Sequence, residues 1–178
     1  MSSDWSSDVC SSDLAEAAFA PYRSRVTFRY LQNFTIHNLE KEIASLSPDT
    51  IVFLFIFSRD KNGRVFSHEQ NLHLLARHCR VPIYSVWEFY LGHGIVGGKL
   101  CSGRAEGRMA GELALRILNG ESASAIPLGQ SPTPYLFDHR ELERFDISRD
   151  RLPDGSTVKF EPYSAYEEHK PLIWGAIA

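Results

Sequence analysis

From Arg25 onward, short runs of consecutive or every-second apolar residues alternate with stretches in which apolar residues recur every third or fourth position. The first rhythm is that of strands and the second that of helices. VTFRYL, residues 26–31, is short, β-branched and aromatic and predicts a strand. It runs into NFTIHNLEKEIASLSPDT, where Thr35 can cap a helix and Phe34 and Leu39 stand as a hydrophobic staple. Leu39, Ile43 and Leu46 share one face of that helix, which ends before Pro48. TIVFLFIF, residues 50–57, carries no charge and predicts a strand buried on both faces, as in a parallel sheet. It is too short to cross a bilayer, which takes about 20 residues.

In SHEQNLHLLARHC, Ser67 and Gln70 form a capping-box pattern, with Leu72, Leu75, Ala76 and Cys79 on one face. VPIYSVWEF, residues 81–89, predicts a third strand. A glycine-rich stretch follows, and then a helix that starts near Ser102 or Gly103, turns Ala110, Leu113, Ala114 and Ile117 inward, and stops at Gly120. The Pro-rich remainder, residues 132–162, predicts a short strand, a short helix and a closing segment. This alternation predicts an α/β fold, a parallel sheet flanked by helices. Ligands of such sheets sit beyond the carboxyl ends of the strands, here QNFT (32–35), FSRD (57–60) and WEFYLGHG (87–94).

Gly92, Gly94 and Gly97 spell GxGxxG, yet the dinucleotide reading fails twice. The glycines follow the third strand and lead through another extended piece before any helix, whereas the fingerprint belongs in the first strand-to-helix turn. The acidic residue expected about 20 positions on falls inside a helix, at Glu112. A phosphate loop ending in Gly98-Lys99 would need glycine where His93 stands and Ser or Thr where Leu100 stands. His93 has no second His, Cys or carboxylate at helical spacing, so it makes no metal pair. No cofactor and no metal are expected.

Ordinary composition, 43% hydrophobic and 23% charged, suits a globular domain, and a net charge of -3 argues against a nucleic-acid coat. Cys10, Cys79 and Cys101 show no metal-ligand spacing. The leader SSDWSSDVCSSDL has neither the basic start nor the apolar run of a secretory signal. Its DVCSSDL is what GACGTGTGCTCTTCCGATCT encodes, which looks like the end of a common sequencing adapter, so residues 1–14 read as an artefactual leader before a domain that begins mid-protein, with a disordered polar tail as the alternative.

IPLGQSPTPYLFDHRELERFDI, preceded by GRAEGRMAGELALRILNGESASA, resembles the ABC-type substrate-binding protein family of the type I periplasmic-binding fold. DTIVFLFIFSRDKNGRVFS, VPIYSVWEFYLGHGIVGGKL and RLPDGSTVKFEP are similar to the branch that forms the extracytoplasmic sensor half of membrane histidine kinases. The resemblance implies a Rossmann-like lobe of a two-lobed ligand-binding domain, the second lobe over 15–127 and, over 128–163, the returning segment of the first lobe with a closing segment. Most of the first lobe would lie upstream. It also implies a juxtamembrane segment over 164–178, with Pro171 to Ala178 opening a membrane helix. The implied location is the extracytoplasmic side of the inner membrane, where a receptor of this kind can be a homodimer.

The resemblance carries over Ser58, Asp60, Trp87, Glu88, Tyr90, Gly92 and Gly94 as cleft contacts, and Arg59 and His93, which stand beside them at strand ends, complete the candidate ligand-binding set. A cation, carboxylates and aromatic faces suit a small polar ligand such as an amino acid, an amine or a small aromatic. The resemblance assigns Asp138 a structural role. A free carrier for an ABC transporter is the alternative in the same fold, and an α/β enzyme using Asp60, Glu88 or His93 is the alternative of another class.

Overall fold

The computed structural model describes residues 14–127, 129 and 133–162. The adapter reading of the leader and the membrane-helix reading of the C-terminal residues fall outside that range. Five strands make one sheet in the order β1 (Val52–Leu54), β2 (Ile83–Ser85), β3 (Gly97–Lys99), β4 (Tyr135–Asp138) and β5 (Thr157–Lys159). β1 is parallel to β2, β2 to β3 and β4 to β5, while β4 runs antiparallel to β3. The α/β alternation is therefore present in a sheet that is mixed instead of wholly parallel.

Helices α1 (Ile36–Ala44) and α2 (His68–His78) pack on each other and on the sheet. Their starts are where local chemistry puts them. The Thr35 hydroxyl accepts the Asn38 N–H, and Ser67 and Gln70 close a reciprocal capping box. α1 buries Ile36, Leu39 and Ile43, and α2 buries Leu72 and Leu75, against Leu54, Ile83, Ile95, Leu100 and Leu136. Side chains alternate across a strand, so the next residues along, Val96 and Phe137, point to the other face. There they meet Leu142 of α4 (His139–Arg144) in a second, smaller core. Residues 133–162 thus add β4, α4 and β5 to the same sheet.

Three sequence expectations are corrected. VTFRYL forms no strand: it has no ladder partner among the described residues, and Phe28 stacks on Phe19, with ring centroids 5.2 Å apart. TIVFLFIF contributes only Val52–Leu54 to the ladder, at the sheet edge, with Ile51 62% and Phe53 38% exposed. Leu54 is buried while Phe53, on the opposite face, is exposed, so β1 is covered on one face only.

The third correction concerns α3 (Gly103–Leu118), which starts after a Ser102 cap and ends before Gly120 as expected, yet buries no residue. Leu113 is half-buried, and Ala110, Ala114 and Ile117 are exposed. A strand pair becomes parallel when a packed crossover returns the chain to the same end of the sheet. Because α3 does not pack on the sheet, it is no such crossover, and β4 enters antiparallel.

Gly97 and Gly98 hold the middle of this sheet. A Cβ on Gly97 would run into the Leu136 carbonyl oxygen and lie 2.8 Å from the Phe137 Cα, and one on Gly98 would lie 2.7 Å from the Ser85 carbonyl oxygen. Gly97 also adopts φ +139°, which side-chain-bearing residues avoid. Replacing Gly97 by Ala is expected to cost about 2–3 kcal/mol of unfolding free energy. Gly111→Ala, in the open interior of α3 with nothing within 4 Å, is expected to add about 0.5–1 kcal/mol. Urea denaturation midpoints of the two variants check both signs.

Candidate functional site

β1, β2 and β3 are mutually parallel in order, so their carboxyl ends open on one edge. Ser85, fully buried at the end of β2, sets the path of the chain as it leaves the strand: its hydroxyl donates to the Leu54 carbonyl at 2.9 Å and accepts the Trp87 N–H at 3.3 Å. Backbone bonds then tie residues 86–88 to the exit of β3, Cys101 N–H to Val86 O at 2.7 Å and Glu88 N–H to Cys101 O at 3.0 Å. The chain turns through a 3-10 helix, Glu88–Tyr90, beside the first residues of α3. Trp87, Glu88 and Phe89 are thereby placed rigidly at the edge where ligands of such sheets sit.

Here an aromatic group lies open. The Phe89 ring is stacked with Trp87 at 5.8 Å and meets His68, the first residue of α2, at 5.1 Å, while Phe89 itself stays 43% exposed. Glu88, Phe89, Gly103 and Arg104 line an open cavity of about 520 Å³. Glu88 and Arg104 carry opposite charges, yet among the described residues neither side chain makes an ion pair or a hydrogen bond. An acceptor, a donor and an apolar face therefore stand free around one space. A slightly larger depression, about 560 Å³, lies between Arg149 and Glu161. Those two residues pair with each other at 3.1 Å.

The other sequence candidates sit differently. Ser58 and Arg59 are exposed on a short hairpin in which Arg59 bridges Val65. Asp60 is buried in its base, accepting the Arg64 and Asn62 N–H groups at 3.0 Å each and the Ile36 N–H at 3.3 Å. Burial opposes the Asp60 charge, but those three bonds, from Arg64, Ile36 and Asn62, together with the Arg64 charge, outweigh it and hold the carboxyl below the usual range. Three bonds, two from the turn and one from the start of α1, occupy most of its acceptor capacity.

Tyr90 is fully buried, its hydroxyl has no partner among the described residues, and burial pushes the phenol up to about 12. It is a core residue that anchors the glycine-rich loop. Gly92 lies under the Phe160 ring, where a Cβ would be 2.7 Å from Cζ, and Gly94 lies on Ala76, whose Cβ would be 2.5 Å away. The glycines of the GxGxxG stretch are thus points of close packing. His93 is exposed between them, its N–H bound to the Tyr90 carbonyl at 3.1 Å.

The structure therefore gathers Trp87 and Glu88 with Phe89, His68 and Arg104, and leaves Ser58, Arg59 and Asp60 on a separate hairpin. His68 and Arg104 were missed by sequence reasoning, although both occupy the first turn of a helix that follows a strand, which is the position that borders a carboxyl edge. Among the described residues no three His, Cys, Asp or Glu side chains come together as metal ligands, and no helix is long and apolar enough to cross a membrane. Cys79 and Cys101 are free thiols. No protein-family model, curated protein or solved structure matches the chain.

Two buried groups make distinct expectations. Tyr90→Phe removes an unpaired buried hydroxyl, so stability at neutral pH is expected to equal or exceed that of the parent. The parent's phenol contributes stability that is complete below about pH 10, the ordinary tyrosine value, and fades as pH rises through about 12. The variant should lack that alkaline loss, and a fall of more than about 1 kcal/mol at pH 7 would show that the hydroxyl has a partner. Asp60, being depressed, contributes stability that is present above about pH 4 and lost as pH falls through its lower folded value. Asp60→Asn is expected to melt lower at pH 7 and to lose less further stability in acid than the parent does, as read by melting curves from pH 2 to 7.

Proposed function

We propose that this chain is a small-molecule ligand-binding sensor domain, the second lobe and returning segment of a type I periplasmic-binding fold in the extracytoplasmic half of a membrane-bound receptor, a histidine kinase by its motifs. The observation that carries the reading is the Glu88 carboxylate and the Arg104 guanidinium, unpaired among the described residues, around the exposed Phe89 ring at the carboxyl edge of parallel strands. A charged pair that closed on itself would argue for a surface salt bridge of little consequence. Two opposite charges left apart beside an aromatic face suit a ligand that carries its own polar groups on an apolar body. The motifs of residues 49–67, 81–100 and 151–162 support the sensor branch.

In such a receptor the first lobe closes with this one over the ligand, and the closed state is favoured because it binds better. Binding energy enters through the differential contacts of the two states. The lobe described here supplies one wall, with Trp87, Glu88, Phe89 and Arg104 as its contacts and Tyr90 as their anchor.

Thermal melting in the presence of defined L-amino acids, biogenic amines and small aromatic acids tests the reading. A ligand at a hundredfold excess over its Kd adds about 2.7 kcal/mol, roughly 5–10 °C for a chain of this size. One compound class is expected to give that shift, and Glu88→Gln or Arg104→Gln should weaken its binding at least about tenfold. A panel in which nothing shifts the melting temperature, or a shift that survives both substitutions, would overturn it.

A further inference from the structure

We propose that Arg140 is a positioning residue that locks residues 88–95 to the segment following β5, so that the two move as one unit. The lock begins at Asp138, whose side chain is fully buried at the end of β4. Its Oδ1 accepts the Arg140 backbone N–H at 3.0 Å and the guanidinium Nε at 3.0 Å, and its Oδ2 accepts Nη2 at 2.7 Å. A two-pronged grip on a buried carboxylate fixes the plane of the guanidinium, not only its position.

Held in that plane, the group reaches two other parts of the chain. Nη2 donates to the Gly92 carbonyl at 3.0 Å, and the guanidinium carbon stands 4.6 Å from the centre of the Phe160 ring. Phe160, immediately after β5, has φ +60°, a left-handed conformation that side-chain-bearing residues hold only when their surroundings impose it. Two surroundings do so here. The cation attracts the ring face, and the ring fills the space that Gly92 leaves open by having no side chain.

Gly92 is in turn bound to the ligand edge. Leu91 N–H to Glu88 O at 2.9 Å and His93 N–H to Tyr90 O at 3.1 Å brace the loop between Gly92 and Glu88. A shift of Glu88 therefore moves the Gly92 carbonyl, and with it the Arg140 contact and the imposed backbone at Phe160. Without the guanidinium, Phe160 can relax out of the left-handed region and its ring withdraws from Gly92.

Amide hydrogen exchange on the whole chain tests this, with Arg140→Lys, Phe160→Leu and the double variant. Lysine keeps a positive charge beside Asp138 but has neither the fork nor the plane. Either single substitution is expected to speed exchange about tenfold in both 88–95 and 157–162, while α2 keeps its protection. The double variant should exchange little faster than Arg140→Lys, because one linkage is removed twice. Exchange that rises only in the segment carrying the substitution, or effects that simply add, would overturn the lock. Should Arg140→Lys loosen α2 as well, Phe160→Leu decides by the same criterion. No ligand is needed, so an empty ligand panel sinks the binding reading and leaves this result standing.

Discussion

Strand β3 can lie between β2 and β4 only because residues 97 and 98 carry no side chains. On one side the Leu136 carbonyl crowds Gly97, and on the other the Ser85 carbonyl crowds Gly98. Backbone-to-backbone approach at this distance joins what would otherwise be two pieces, the α1–β1–α2–β2 unit and the β4–α4–β5 unit. The two cores on opposite faces of the sheet, one around Ile83 and Leu136 and the other around Val96 and Phe137, both depend on it. Everything that positions the carboxyl edge is built on that junction.

The same packing governs the loop before β3. Tyr90 sits in the core, Gly92 under Phe160 and Gly94 on Ala76, so the segment that borders the candidate site is held at three points. Its rigidity is what allows Trp87, Glu88 and Phe89 to present a fixed surface next to Arg104. A loop that had to order itself on binding would lose affinity to conformational entropy, whereas one already packed does not. Mobility, if a ligand exploits any, belongs to the loop and its packing partners together.

How much of this could be read from the sequence depends on the range of each interaction. Helix starts were legible at Thr35, at Ser67 with Gln70 and at Ser102, because a cap binds an amide three residues away. The α/β alternation was legible for the same reason, since periodicity is local. The edge position of β1, the exposed face of α3 and the reversal of β4 were not, because each depends on which element lies alongside. At the site, Trp87 and Glu88 followed from their place at a strand end. Asp60 misled because its residue type looks like a ligand group, while its three backbone bonds come from a turn and a helix start that no spacing rule displays. Likewise, GxGxxG describes glycines without saying what approaches them, and here it is a ring, a methyl group and a strand.

The packing role of the glycines is most directly tested by backbone ¹⁵N relaxation of the ligand-free chain. Amides of residues 91–99 are expected to give order parameters near 0.85, the same as those of β2 and α2, the value of a rigid backbone. Values below about 0.6 across the glycines, with β2 and α2 still rigid, would mean a flexible rim and contradict a loop held by Phe160, Ala76 and β4.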